Sequence, residues 1–396
     1  MEFKVSDDLV TTNPEKSVIM NRRTGEQYLL NKQTLQFLGL FTNPQTIEEV
    51  VVSFKIEEQK TVQQFIDNLI KNELLVESVN DAITPSFIRP LPISRLEKPS
   101  NTFFSVPYKA LDALPDNAIV FLGFPYDQGT TGLPGTRFGP EQLRQLTSSN
   151  FDFHADIFTG KSKGWFSQFH GTQKVQNCDL FDIGDILINI GENPEAIFQK
   201  LRQVLADIIV TNSFPIVIGG DHSLSYSILS AHHDIHKRPC ALIHFDAHSD
   251  IGGYCPDISH NHGNVFSRAL HEGICNEIHQ IGLRTTFDSN LIGVSTYSMD
   301  SLNNSFDKII SNLNPETPYH LSIDIDVLDP IYTPGTGTPV PNGMSVTALL
   351  DFITTITTKC KIVFLDIVEI NPMVDVNKIT LLTASQILFH VLTCMF

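Results

Sequence analysis

The chain has 396 residues, of which 41% are hydrophobic, and its formal net charge is -17 at pH 7. This length supports a large core and more than one domain, and the apolar fraction excludes a disordered chain. The negative charge argues against a nucleic-acid or anionic-membrane surface. It suits a cationic substrate or metal ions, although an ordinary solvated acidic surface gives the same balance.

Cysteine spacing and the first residues bear on location. The six cysteines form no CxxC pair or dense framework, which is typical of reduced thiols in a cytoplasmic protein. Residues 1–8 lack the apolar region of a signal peptide. No stretch approaches ~18 uninterrupted apolar residues. We therefore expect a cytoplasmic protein without a transmembrane helix.

Residues 1–80 are predicted to form a small α+β domain. The pattern predicts short strands at 17–20 and 26–30 around a turn, followed by helices at 32–40, 46–54 and 62–69. Thr46 is expected to cap the second helix, with Glu49 three residues later as in a capping box. Residues 72–76 are predicted to return as a strand.

A hairpin followed by three short helices resembles the PqqD-like peptide-recognition domain, a winged-helix-like module also called the RiPP recognition element. The residues that carry the resemblance are Glu26-Gln-Tyr-Leu-Leu-Asn31, Thr46-Ile-Glu-Glu-Val50 and Phe65-Ile-Asp-Asn-Leu-Ile-Lys-Asn-Glu-Leu-Leu-Val76. The resemblance implies that the domain binds the leader of a ribosomal precursor peptide by strand addition. A generic winged-helix or dimerisation module is the alternative. DNA binding is disfavoured because residues 1–80 hold 8 Lys and Arg against 12 Asp and Glu.

Prolines punctuate residues 81–115, which we interpret as a linker that packs along the surface. From residue 116 to 396, apolar strands alternate with helices. Strands are predicted at 118–123, 216–220, 240–245, 320–327 and 362–367, and helices at 194–210, 224–233 and 345–357. This alternation predicts a three-layer α/β/α domain with a mostly parallel sheet, in which sites form at the carboxyl ends of strands.

Four carboxylates and two imidazoles fall at such predicted strand ends: His222, Asp246, His248, Asp250, Asp324 and Asp326. Alternate residues of a strand point to one face, so the acids of each cluster crowd together and need a compensating cation. A donor set without a thiolate favours Mn²⁺ over a thiolate-type zinc site. Six ligands are more than one ion needs, so two ions with bridging carboxylates are the economical interpretation. Buried structural acids are the alternative.

The stretches around these residues resemble the signatures of the arginase/agmatinase, or ureohydrolase, family. Three carry the resemblance: Gly219-Gly-Asp-His-Ser223, Phe245-Asp-Ala-His-Ser-Asp250 and Ser322-Ile-Asp-Ile-Asp-Val-Leu-Asp-Pro330. Three more support it: Gly135-Thr-Arg-Phe-Gly-Pro140, Gly335-Thr-Gly-Thr-Pro339 and Asp366-Ile-Val-Glu-Ile-Asn-Pro372. The resemblance implies an arginase-like fold and a two-manganese site that hydrolyses guanidinium groups, with water as co-substrate, to an amine and urea.

The resemblance also implies a ligand set for each ion. One manganese would take His222, Asp246, Asp250 and Asp324, and the other would take Asp246, His248, Asp324 and Asp326. Asp246 and Asp324 would then bridge the two ions. A guanidinium is a poor electrophile, so its hydrolysis needs hydroxide at neutral pH, and bound metals lower the pKa of water from ~15.7 to about 7.

Further roles follow from the same resemblance. His262 matches the family's proton-shuttle histidine, a role that suits a pKa near neutrality. His260 is the nearby competitor, and the following Gly263 favours His262. Glu369 matches the acid that pairs with the substrate guanidinium as a bidentate fork. Thr338 matches a hydroxyl-bearing position near that group.

Three positions depart from arginases that act on the free amino acid. The positions that would contact its α-carboxylate and α-amino groups hold Gly252, Ile258 and Phe287, with Asp288 adjacent to the last. Polar contacts to an amino-acid head group are therefore expected to be lost. Gly252, together with Gly253, is expected to widen the approach for a peptide backbone.

The resemblances of residues 1–80 and residues 116–396 together predict a peptide arginase, which converts arginine side chains of a ribosomal precursor peptide to ornithine. The first domain would hold the leader and raise the local concentration of the core peptide. A homo-oligomer is expected from the family resemblance, and no nucleic-acid or membrane partner is expected. One alternative is a small-molecule ureohydrolase that acts on agmatine, free arginine or formiminoglutamate. Another is a non-catalytic, metal-stabilised scaffold that binds peptide.

Overall fold

The computed structural model describes residues 95–396 except 151–160, 168–170, 254–259, 287–290 and 303–305, and only short segments before residue 95. The chain divides into two compact units, Met1–Pro90 and Leu91–Phe396. Within the described part of the chain, no helix is both long enough and apolar enough to cross a membrane.

The first unit contains two small antiparallel sheets. Its strands in chain order are β1 (Glu2–Val5), β2 (Leu9–Asn13), β3 (Val18–Asn21), β4 (Gln27–Leu29), β5 (Gln45–Thr46) and β6 (Leu75–Ser78). The sheet orders are β5-β1-β6 and β2-β3-β4. β3 and β4 pair where a hairpin is predicted, whereas β1 and β2 were not predicted.

The helices predicted for the first unit fall mostly outside the described residues. A helical segment is present at 66–71, within and just beyond the predicted helix 62–69. Thr46, expected as a helix cap, pairs with Glu2 in a strand, which is compatible with the extended backbone of a cap residue. Residues 47–65 lie outside the described segments, as do all but residue 34 of the helix predicted at 32–40. The winged-helix-like arrangement therefore stays a prediction.

The second unit is built from strands and helices that alternate along the chain. Its strands are β7 (Leu96–Glu97), β8 (Ile119–Phe124), β9 (Lys163–Ser167), β10 (Thr172–Gln176), β11 (Leu180–Ile186), β12 (Phe214–Gly219), β13 (Ala241–Phe245), β14 (Ile278–Leu283), β15 (Val294–Ser298), β16 (Pro318–Asp324) and β17 (Lys361–Val368). Its helices are α1 (Gly139–Asn150), α2 (Pro194–Val210), α3 (Ser225–His236), α4 (Val265–His271), α5 (Met299–Leu302), α6 (Phe306–Asn312), α7 (Val346–Lys359) and α8 (Ile379–Met395).

Nine of these strands form one sheet in the order β15-β14-β13-β16-β17-β12-β8-β11-β7. All neighbouring pairs are parallel except β11 with β7. The predicted α/β architecture with a mostly parallel sheet is confirmed. β9 and β10 form a separate antiparallel hairpin.

Both faces of the sheet are covered because its strands are apolar on both sides. Along β8, Ile119 and Phe121 belong to one core, and Val120 and Leu122 belong to the other. α2, α3 and α4 pack on the second core, while α7 and α8 pack on the first. α2 begins as predicted, since Pro194 is its first residue and the side chain of Asn193 accepts a hydrogen bond from a backbone N–H of the first turn.

Residues 95–115 belong to the second unit, which differs from their prediction as part of a linker. β7 pairs with β11, and Phe103 and Phe104 are fully buried against Phe121. The backbone N–H of Phe103 also donates to Asp182 Oδ2 at 3.0 Å. The proline spacing indicated an extended segment, but it did not indicate that Phe103 and Phe104 would be buried in the core.

A buried ion-pair cluster holds this segment against the sheet. Arg144 of α1 lies 2.8 Å from Asp182 Oδ2 through Nε and 2.5 Å from Asp185 Oδ1 through Nη1. Its guanidinium also lies 4.3 Å from the ring centre of Phe103. Charges buried this deeply persist only when they are paired and hydrogen-bonded.

We predict that Arg144→Met lowers the free energy of unfolding of the second unit by about 3–5 kcal/mol, because two carboxylates lose their partner. Chemical denaturation followed by tryptophan fluorescence measures this unit, since the only tryptophan is Trp165 of β9. Arg202→Met is the matched control. Arg202 pairs with Asp234, and both side chains are about one third exposed, so the control should cost at most about 1 kcal/mol. Equal losses in the two variants would contradict the prediction.

Candidate metal centre

The sheet order brings the predicted site residues to one edge. β13, β16, β17 and β12 are consecutive neighbours, so their carboxyl ends meet. Asp246 follows β13 directly, Asp324 ends β16, and Glu369 follows β17. His222 begins a short 3-10 turn after β12, and Asp326 lies in another after β16.

His222 is at the centre of the first group. Its Nδ1 atom lies 3.2 Å from Asp246 Oδ2, 3.1 Å from Asp250 Oδ2 and 3.3 Å from Asp324 Oδ2. All four side chains are buried. Among the described residues, Nδ1 has no hydrogen-bond partner. These four atoms are the predicted ligands of one ion.

His248 is at the centre of the second group. Its Nδ1 atom lies 3.4 Å from Asp246 Oδ1 and 3.0 Å from Asp326 Oδ2. Asp246 therefore presents one oxygen to each group, which is the arrangement expected of a bridging carboxylate. His248 is the only one of the six predicted ligands that is not buried, with a side chain 28% exposed.

The carboxylates of the two groups repel one another. Burial and the charges of Asp326 and Asp246 raise the pKa of Asp324 well above its usual value. Burial and the charge of Asp246 raise the pKa of Asp326 to about 6. Burial acts the same way on Asp246, but His244 and His222 outweigh it and hold its pKa well below the usual range. Cations at this position would relieve the repulsion.

The spacing of the donors fits hard divalent ions. Two neighbouring ligands of an octahedral ion with bonds of about 2.1 Å lie about 3 Å apart. The donor separations of 3.0–3.4 Å match this value. Carboxylate oxygens with a minority of imidazole nitrogens suit Mn²⁺ better than softer ions.

A hydrogen-bonded chain fixes the orientation of His222. Ser322 donates to Asp366 Oδ1 at 2.7 Å, so its oxygen is left to accept the Nε2–H of His222 at 2.8 Å. Nδ1 then carries the lone pair that faces the three carboxylates. Burial opposes a proton there, yet the three carboxylates raise the pKa of His222 well above its model-peptide value. The position thus takes either a proton or a metal ion.

His244 lies beside the cluster but supports a ligand instead of acting as one. Its Nε2–H donates to Asp246 Oδ2 at 2.8 Å, and the side-chain amide of Gln280 lies 3.3 Å from Nδ1. Both ring nitrogens are therefore occupied. Sequence reasoning missed Gln280, Ser322 and Asp366 as supporting residues. The available signal was a polar residue buried inside an otherwise apolar strand.

Glu369 joins the metal cluster to His262. Its Oε1 atom accepts the backbone N–H of His222 at 2.9 Å and lies 3.0 Å from His262 Nδ1. Oε2 is buried, and no described residue hydrogen-bonds to it. A side-chain carbon placed on Gly337 would lie 3.0 Å from Leu133 O and 3.9 Å from Oε2, so close backbone packing accounts for this glycine.

Two of the predicted residues have strained backbones. Asp250 and Glu369 have φ angles of 50° and 61°, in the left-handed region that costs non-glycine residues about 1–3 kcal/mol. Such strain is found most often at functional sites.

The surroundings of the two candidate shuttle histidines differ. His260 stacks on Phe198 and pairs with Glu195, away from Glu369. His262 contacts Glu369, and burial is outweighed by the charges of Glu369, Asp250 and Asp221, which raise the pKa of His262 to about 9. The geometry thus supports His262 over His260.

Of the other positions predicted to contact substrate, Thr338 lies at the metal cluster, Gly252 has a packing role, and three lie outside the described residues. Thr338 Oγ1 lies 3.4 Å from Asp326 Oδ2, at the second metal group. Gly252 donates to Gly263 O at 2.8 Å, and a side-chain carbon there would lie 2.7 Å from the same oxygen. Backbone packing therefore explains this glycine without a substrate, whereas Gly253 faces open space. Residues 258, 287 and 288 lie outside the described residues.

Known proteins share sequence and fold with most of this chain. Residues 117–394 match the sequence model of the arginase family. An agmatinase of Proteus mirabilis is 32% identical over 282 residues, which cover 69% of this chain and 86% of that protein. A solved structure of a hypothetical agmatinase from Burkholderia thailandensis has a TM-score of 0.65 at 26% identity, covering 74% of this chain and 90% of that chain.

A second solved structure, a proclavaminate amidino hydrolase from Streptomyces clavuligerus, has a TM-score of 0.64 at 27% identity and covers 76% of this chain and 98% of that chain. The fold and the clustered His and Asp side chains define a metal-dependent hydrolase of guanidinium C–N bonds. The chain belongs to the arginase family.

We predict that Mn²⁺ raises the melting temperature of the protein, because an ion that binds only the folded state adds about 2.7 kcal/mol at 100 times its Kd. Asp324→Asn should lower the manganese content measured by elemental analysis, while Asp112→Asn, at an exposed position, should leave it unchanged. With a chelator present, Asp324→Asn should melt at a higher temperature than the wild type, because the substitution removes a repelled carboxylate. Full manganese content in Asp324→Asn would contradict this ligand assignment.

We predict that His262→Asn lowers kcat for urea release by about 10²- to 10⁴-fold, as expected for a lost general acid or base. His260→Asn is the comparison and should change kcat by less than about 10-fold. Both are measured at saturating Mn²⁺, and the manganese content of each variant is checked. A larger loss in His260→Asn than in His262→Asn would reverse the assignment.

Proposed function

We propose that this enzyme is a peptide arginase, which hydrolyses arginine side chains of a ribosomal precursor peptide to ornithine and releases urea. The observation that carries the guanidinium chemistry is the buried, unpartnered Oε2 atom of Glu369 beside the metal cluster. The peptide substrate is inferred from the unit that precedes the family-matched region. The domain roles and a homo-oligomeric state are parts of the proposal that rest on the family resemblances.

The site residues divide into three roles. Two Mn²⁺ ions would be held by the six ligands: His222, Asp246, His248, Asp250, Asp324 and Asp326. The ions would supply a water nucleophile at neutral pH. Glu369 would accept the substrate guanidinium through Oε2, near Thr338. His262, 3.0 Å from the same carboxylate, would bring a proton to the leaving amine.

Two features support a peptide over a free amino acid. No described residue beyond its chain neighbours lies within 4 Å of a side-chain carbon placed on Gly253, so the described residues leave room there for a backbone. In the first unit, β4 lies at an edge of the sheet β2-β3-β4. An edge strand presents unpaired backbone groups to which an extended leader could add.

Agmatine is the second candidate substrate. The Proteus mirabilis relative is named an agmatinase, and agmatine is a guanidino compound without an α-carboxylate. A site without amino-acid head-group contacts therefore suits agmatine as well as a peptide. The first unit is the feature that agmatine leaves unexplained.

We predict that the full-length enzyme with Mn²⁺ releases urea from a leader-bearing arginine peptide with a higher kcat/KM than from the same peptide without its leader. Tethering can raise the efficiency by about 10²- to 10⁴-fold. Mass spectrometry should show each processed arginine lighter by one CH2N2 unit, and added free leader should inhibit.

Agmatine and free arginine are assayed in parallel. Urea from agmatine but from neither peptide would contradict the peptide proposal and support the second candidate. Urea from none of the substrates, in a protein with full manganese content, would support the non-catalytic scaffold.

A further inference from the structure

The second ring nitrogen of His262 is held by one residue, Thr131. The backbone N–H of Thr131 donates to Nε2 at 2.9 Å, and its hydroxyl Oγ1 lies 2.8 Å from the same atom. A backbone N–H can only donate, so in the neutral form of His262 Nε2 is the acceptor and Nδ1–H donates to Glu369 Oε1. Each end of the imidazole therefore has a defined partner, with the guanidinium-binding acid at one end and a threonine at the other.

Thr131 is exposed, whereas His262 is 8% exposed. Hydrogen bonds fix the surrounding loop. The backbone N–H of His262 donates to Gly129 O at 3.1 Å, and the backbone N–H of Gly129 donates to Asp221 Oδ2 at 2.8 Å. Gly132 N–H donates to the Thr130 hydroxyl at 3.0 Å. Thr131 thus lies between the buried imidazole and solvent, with its hydroxyl on the imidazole.

We propose that Thr131 is a positioning residue for His262, whose hydroxyl passes protons between solvent and Nε2. The proposal rests on the shuttle role of His262, and it holds for any guanidino substrate. The hydroxyl is the group suited to this step because it both donates and accepts hydrogen bonds, whereas the neighbouring backbone N–H cannot exchange its proton in this way.

The transfer balances as follows. The Nδ1–H bond of His262 breaks as an N–H bond forms on the leaving amine, and Nε2 takes the hydroxyl proton of Thr131. An acid of the solvent then returns a proton to Oγ1. Guanidinium and water give urea and an ammonium ion, so no proton is consumed overall. Nδ1 then takes the proton released by the nucleophilic water. At the same time Nε2 returns a proton to Oγ1, and Oγ1 returns one to the solvent.

The test compares wild type, Thr131→Val and Thr131→Ser as full-length, manganese-loaded protein. Valine has nearly the shape of threonine and keeps the backbone N–H, but it lacks the hydroxyl; serine keeps the hydroxyl. The substrate is whichever of the arginine peptide or agmatine the wild type hydrolyses. Urea release is measured at fixed pH and ionic strength with increasing imidazole, a small proton donor.

We expect kcat to fall about 10-fold or more in Thr131→Val, up to the ~10²–10⁴-fold effect of a whole acid–base contribution, with little change in KM. Imidazole should restore kcat in Thr131→Val, and Thr131→Ser should recover most of the lost activity. A wild-type kcat in Thr131→Val would overturn the proposal. So would a loss that imidazole does not restore, because the hydroxyl would then only pack the loop.

The same data separate this proposal from the peptide proposal. If the wild type hydrolyses agmatine but no peptide, the peptide substrate is wrong and the Thr131 comparison proceeds unchanged on agmatine. If the wild type hydrolyses no guanidino compound, both proposals are overturned. Unfolding curves and manganese content of each variant show whether a loss reflects folding or metal binding.

Discussion

The structure depends on one electrostatic constraint, the crowding of carboxylates around two imidazole nitrogens at the edge of a buried sheet. Three carboxylate oxygens lie within 3.1–3.3 Å of His222 Nδ1, and two more lie within 3.0–3.4 Å of His248 Nδ1. Such crowding is unfavourable without a cation. The parallel sheet brings the ends of four neighbouring strands together, and the large apolar cores on both faces keep them there despite the repulsion.

Hydrogen bonds from surrounding residues orient the side chains of the cluster. Ser322 and Asp366 orient His222, while His244 and Gln280 orient Asp246. Glu369 is the junction, because one of its oxygens binds both the His222 backbone and His262 while the other is left for a cation. One hydrogen-bonded network therefore connects the backbone of His222, the carboxylate of Glu369 and the imidazole of His262.

The sequence predicted those parts of the protein in which local pattern and structure agree. β13, β16 and α2 were predictable because two largely apolar strands end at motif residues and an amphipathic pattern runs through the helix. β11 was not predicted because Asp182 and Asp185 interrupt its apolar pattern, and their partner Arg144 lies about forty residues earlier in the chain. The supporting role of Gln280 was missed because a polar residue inside an apolar strand does not reveal its partner, here His244 on the neighbouring strand. Gly252 packs against the backbone of Gly263, eleven residues later in the chain, and this contact could not be foreseen from the local sequence.

The most direct test of the two-ion site is anomalous X-ray diffraction from crystals of the full-length protein grown with Mn²⁺. We expect two manganese peaks, one in contact with His222 Nδ1 and one in contact with His248 Nδ1, with Asp246 in contact with both. A single peak, or peaks that contact neither histidine, would contradict this expectation.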